Sequence, residues 1–218
     1  MSSTQLQKFV VSFYLILLST QLVAIEGMNI SPVKVAGMTL SPLFYIFLIN
    51  KFNRDIKVFI YAGMYLTMIV CCSLLASQHV VWERFIYRSL FLCSFIVVYK
   101  IVYSGNLELE FFLKLFIFTL CAYGIIFLIQ HICFFVGIKE LAVINLTGAM
   151  TMGGGLKANG LAIEPSHASR ILSFIYWGII VLTEVKEGKE LTLVEHFKTN
   201  PWSTLAFWGS MLSMGSAT

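Results

Sequence analysis

The stretch Phe111-Phe-Leu-Lys-Leu-Phe-Ile-Phe-Thr-Leu-Cys-Ala-Tyr-Gly-Ile-Ile-Phe-Leu-Ile-Gln-His-Ile-Cys-Phe-Phe-Val136 decides the class of this chain. A helix needs roughly 20 mostly apolar residues to cross the hydrocarbon of a bilayer. This run exceeds that length and carries one lysine, Lys114, near one end. Five more runs read the same way: Phe9–Ile25, Val35–Ile49, Ile56–Ala76, Phe85–Tyr103 and Ser166–Val185. A seventh begins near Ser203 and is cut off by Thr218, and the second is short and interrupted by Ser41-Pro42. Phe9–Ile25 behind Lys8 has the look of a signal peptide, but the five spans behind it favour an uncleaved first helix. The expected fold is therefore all-α: a polytopic transmembrane helical bundle of about six complete spans plus a truncated seventh, one membrane domain over 1–218. An outer loop is expected at 138–164 and an inner loop at 186–202.

Composition leads to the same class. The chain is 58% hydrophobic and only 12% charged, against about 25% charged in soluble domains, and its mean hydropathy is +0.85. Cys71, Cys72, Cys93, Cys121 and Cys133 all fall inside apolar runs. They are odd in number and lack metal-ligand spacing, which reads as packing and not disulfides. The net charge of +4 is small and dispersed, and gives no case for nucleic acid. Asn145-Leu-Thr147 matches a glycosylation sequon, a short and weak match.

Positive residues favour the cytoplasmic side of a membrane. An inward N-terminus puts nine Lys/Arg inside and six outside, and eight of eleven lysines inside. Arg84, Arg88 and Arg170 then lie at the outer boundary, with only Arg54 within. A guanidinium grips phosphate oxygens in bidentate fashion, so an outer arginine group points to an anionic ligand there. Plain headgroup anchoring is the competing reading.

Three polar groups meet that outer interface. One is Gly160-Leu-Ala-Ile-Glu-Pro-Ser-His-Ala-Ser-Arg170. Glu164 precedes a proline, which pushes it out of helical conformation, and Pro165 suits a helical first turn, so a helix over Ser166 to Leu182 is expected to start here. His167 and Arg170, three apart, share a face of it. An interfacial salt bridge that fixes helix depth is the plain alternative. The second group is His79, Glu83, Arg84 and Arg88, and the third is Gln130-His131. Ahead of the first lies Gly148–Gly160, with five glycines but no Gly-Lys-Ser/Thr ending, which reads as a flexible connector more than a phosphate loop. The span centres carry no charge; Lys100 and Lys114 sit near inner ends, where long side chains snorkel. Ion-coupled transporters keep ionisable residues at mid-membrane. An enzyme that acts on a lipid-linked substrate from outside fits this distribution better. Asp55 is the single aspartate, so a paired-aspartate magnesium site is ruled out and no metal or cofactor is expected; arginine, lysine or histidine must neutralise any pyrophosphate. Gly-x-Ser-x-Gly and His-Glu-x-x-His are both missing, which argues against hydrolases of those types.

At Gly160-Leu-Ala-Ile-Glu-Pro-Ser-His-Ala-Ser169 the sequence resembles bacterial O-antigen and exopolysaccharide polymerases of the Wzy type, within the superfamily that holds the O-antigen ligases. Weaker likenesses are Leu212-Ser-Met-Gly-Ser-Ala-Thr218 and Gly37-Met-Thr-Leu-Ser-Pro42. The resemblance implies a metal-independent inverting glycosyltransferase of the bacterial inner membrane. Its substrates would be undecaprenyl-pyrophosphate-linked glycans, joined at the periplasmic face, so that 138–164 is periplasmic and 186–202 cytoplasmic. It implies Glu164, His167 and Arg170 as catalytic residues, with Arg84, Arg88 and His131 binding substrate. The pathway's chain-length regulator and flippase are candidate partners. Family members run to about twice this length, so the chain is expected to be the N-terminal half of a longer protein, with activity as it stands in doubt. An O-antigen ligase is the nearest alternative, and a polysaccharide or small-solute transporter the alternative of another class.

Overall fold

The computed structural model describes residues 3–20, 32–48, 56–75, 82–138, 150–152, 155–158, 160 and 165–214. Among these the elements are α1 (Ser3–Ser19), α2 (Pro32–Thr39), α3 (Ser41–Leu48), α4 (Lys57–Leu75), α5 (Trp82–Tyr103) and α6 (Leu109–Val136). They are followed by β1 (Met150–Met152), β2 (Gly155–Lys157), α7 (Pro165–Glu187), α8 (Leu193–Thr199) and α9 (Pro201–Ser213). The described chain is thus helical apart from one short antiparallel hairpin, in which Met150 pairs with Lys157 and Met152 with Gly155.

Three helical stretches are long and apolar enough to cross a membrane: Phe85–Tyr103, Leu109–Val136 and Ser166–Glu187. They coincide with the fourth, fifth and sixth expected spans. The helix of the first expected span starts earlier, at Ser3, and residues 21–25 of that span lie outside the described residues. Val33–Leu48 and Lys57–Cys72 are shorter apolar helical stretches. The second expected span divides into α2 and α3 at Leu40. Pro42 has no N–H to give the carbonyl of Met38, and the Ser41 hydroxyl takes that place, donating to it at 2.6 Å.

The chain forms two compact units. The first holds Met1–Leu15 and Val33–Leu107. Its interior is organised by three hydroxyls from three helices: Tyr14 Oη lies 2.8 Å from Ser41 Oγ, which lies 2.8 Å from Ser94 Oγ. Ser94, Val97 and Ile101 are buried at helical spacing on α5, and Phe44 takes edge-on contacts from Phe9, Phe13 and Tyr14. Lys100 is 2% exposed, with Nζ 5.7 Å from the centre of the Phe59 ring. Lys114, in the second unit, pairs with Glu110 one turn earlier at 3.0 Å.

The second unit holds Ile16–Pro32 and Glu108–Thr218. Its core is built from α6, α7 and α9 around Leu120, Tyr123, Phe127, Leu172, Ile179 and Phe207. Small residues let the helices close up, as in membrane bundles. A Cβ on Gly124 of α6 would stand 2.9 Å from the Ala206 Cβ of α9. On Gly178 of α7 it would stand 2.5 Å from the Phe116 ring of α6. Tyr176 and Phe207 stack at 4.2 Å between ring centroids, joining α7 to α9. The expected seventh run is helical from Pro201, a proline in the first turn. The connector before it is more structured than its mixed charge indicates. It holds α8, whose Thr192 and Glu195 form a reciprocal capping box. His196 is buried, with Nε2 3.3 Å from Glu184 Oε1.

Candidate functional site

α7 begins at Pro165, where the Glu-Pro junction places it. His167 and Arg170 sit in its opening turns and both are exposed. Arg170 folds back so that Nε donates to the carbonyl of Ser166 at 3.3 Å. With Ser169, Ser173, Phe174 and Trp177 of α7 and Met211 of α9, it lines a shallow groove of about 520 Å³. An exposed guanidinium above serines and an indole can receive an anionic oxygen while an apolar body lies alongside. The imidazole of His167, one turn earlier, belongs to the side-chain type that exchanges a proton near neutrality. Glu164 and His79 lie outside the described residues.

The start of the motif is fixed to α6. Gly160 N–H donates to Gln130 Oε1 at 3.0 Å, and Gln130 Nε2 donates to the Gly160 carbonyl at 3.4 Å. Gln130 is 0% exposed. Gly160 has φ +59°, and a Cβ there would stand 3.0 Å from both the Phe127 and Tyr123 rings. Two residues before it, Ala158 is buried in the same core. Tyr123, Phe127 and Gln130 recur at helical spacing and form one face of α6. The Tyr123 hydroxyl on that face donates to the carbonyl of Ser19, at the end of α1.

His131 is partly buried and tilts against the Phe135 ring at 6.5 Å. Its Nε2 is buried and makes no hydrogen bond within the described structure. With Gly124, Leu128, Trp202, Leu205 and Gly209 it lines an apolar cavity of about 570 Å³ between α6 and α9. Arg88 is exposed on α5 in the first unit, and Arg84 stands one turn earlier on that helix. The structure therefore places His167 and Arg170 together on α7 and His131 on α6. Among the described residues no group of three or more His, Cys, Asp or Glu could hold a metal ion.

The sequence reading set Gln130 at the outer interface without its anchoring role, and it missed the His196–Glu184 pair. Gln130 stands on the apolar stripe of Tyr123 and Phe127, where a polar side chain needs a partner. For the pair, the sign was Thr192-x-x-Glu195, which predicts a folded helix start within the expected inner loop at 186–202. No family model matches the chain, and no curated protein or solved structure matches it either.

Proposed function

We propose that the chain is the membrane core of an O-antigen polymerase-type glycosyltransferase, with six membrane crossings and a seventh entered at α9. On this reading it joins undecaprenyl-pyrophosphate-linked repeat units at the periplasmic face of the bacterial inner membrane. One observation carries the proposal. His167 and Arg170 occupy the opening turns of α7, directly after Glu164 in sequence, at one end of a helix long and apolar enough to span a bilayer.

In the reaction a hydroxyl of the acceptor repeat unit attacks the anomeric carbon of the lipid-linked glycan. The new carbon–oxygen bond forms as the bond from that carbon to the diphosphate oxygen breaks, with inversion at the carbon. The hydroxyl proton passes to Glu164 or His167, and the diphosphate leaves on its lipid as an anion. Arg170 is assigned to that negative charge, and Arg84 and Arg88 are assigned to substrate binding by their guanidinium chemistry. His131 is assigned to substrate binding from the α6 side.

The test is complementation of a polymerase-deficient strain with the intact protein. Arg170→Ala and Glu164→Ala should each collapse the lipopolysaccharide ladder to single repeats, with membrane levels of the protein unchanged. Losing one such charge-stabilising group typically lowers rate by about 100- to 1,000-fold. Unchanged ladders from both variants would overturn the assignment.

A further inference from the structure

We infer that Gln130 is a positioning residue: its side-chain amide clasps the backbone of Gly160, five residues before α7 begins at Pro165. The inference rests on the proposed function for its catalytic consequence and on geometry for the clasp itself. A carboxamide offers one acceptor and one donor side by side, and Gln130 uses both on the same residue, at 3.0 Å and 3.4 Å. That pairing copies the exchange between facing residues of an antiparallel ladder. It occurs at a fully buried side chain, where an unmet amide is strongly unfavourable.

Gly160 is shaped to receive it. Its left-handed φ of +59° excludes most side chains, and the Tyr123 and Phe127 rings stand where a Cβ would go. Ala158, 1% exposed, is held in the same packing. Gly160 is five residues before Pro165 and ten before Arg170. A displacement of about 1 Å in reacting groups is enough to cost catalysis on the order of 100-fold.

The experiment reads the clasp without reading activity. Ala158→Cys reports whether the segment is docked, through its rate of reaction with a water-soluble maleimide in detergent-solubilised full-length protein. Paired with Gln130→Met, which keeps the volume and removes both hydrogen bonds, labelling at position 158 should quicken about tenfold or more. Gln130→Glu keeps the shape, and in its neutral form, which apolar burial favours, it keeps an acceptor and a donor; it should restore slow labelling. In the natural Ala158 background the polymer ladder should follow the same order, strong with Gln or Glu and lost with Met. A residue that only fills space predicts the reverse, with Met tolerated better than Glu, and that order overturns the clasp, as does labelling indifferent to position 130. If Met speeds labelling yet leaves the ladder intact while Arg170→Ala abolishes it, the positioning role is wrong. If Arg170→Ala also leaves the ladder intact, the fault lies in the polymerase reading, and labelling alone decides the clasp.

Discussion

Gly160 carries two constraints that no other residue type meets together. Its φ of +59° disfavours every L side chain, by about 1–2 kcal/mol, and the Phe127 and Tyr123 rings close the space beyond it. Gly160→Ala is expected to destabilise the second unit by about that amount or slightly more. In a thermal melt of detergent-solubilised protein that is a drop of roughly 2–8 °C. Part of this residue-level detail was legible: the Glu-Pro junction located the start of α7, and the spacing of His167 and Arg170 placed them together. The role of Gln130 was not, because its partner lies 30 positions away across a glycine-rich connector with no periodicity to follow. A lone glutamine beside a histidine in an apolar run reads as an interfacial pair. Only the fold shows that Gln130 meets a backbone while His131, its neighbour, lines a cavity.

At the scale of elements, the fourth, fifth and sixth expected spans form helices long and apolar enough to cross a membrane, because twenty or so apolar residues in sequence leave few other folded solutions. The short and the charged elements read less well. The division of α2 from α3 was foreshadowed by Ser41-Pro42, but the repair by the Ser41 hydroxyl is a matter of geometry. α8 was hidden by its charge, although Thr192 and Glu195 announced its cap. Thr192→Ala removes the cap acceptor and should cost about 1 kcal/mol, read as a lower unfolding midpoint. Glu195 is held down to about 2 from its ordinary 4.5, first by the N–H of Thr192, then by the Thr192 hydroxyl and Lys189. A carboxylate lowered in the folded state adds stability that is complete above its unfolded value and fades as pH falls through the folded one. The destabilisation caused by Glu195→Gln should therefore be constant above about pH 4.5 and shrink steadily towards pH 2, as checked by denaturant midpoints in detergent.

For the whole molecule, the proposed topology puts the α7 entrance outside and the α7–α8 turn inside. In a background with the five native cysteines replaced, His167→Cys should react with an impermeant maleimide in intact cells. Lys189→Cys should react only after the membrane is opened. The opposite pattern would invert the proposed topology and overturn the periplasmic reading. The Gln130–Gly160 pairing also bears on biogenesis. Ribosomes add about 5–20 residues per second, so the glycine, 30 positions on, leaves the ribosome a few seconds after the glutamine of α6. On the membrane reading, a nascent α6 waits in or beside the translocon before its carboxamide can meet that glycine. On that reading the Gln130–Gly160 pairing is a late event, closed only after α6 has been delivered to the bilayer.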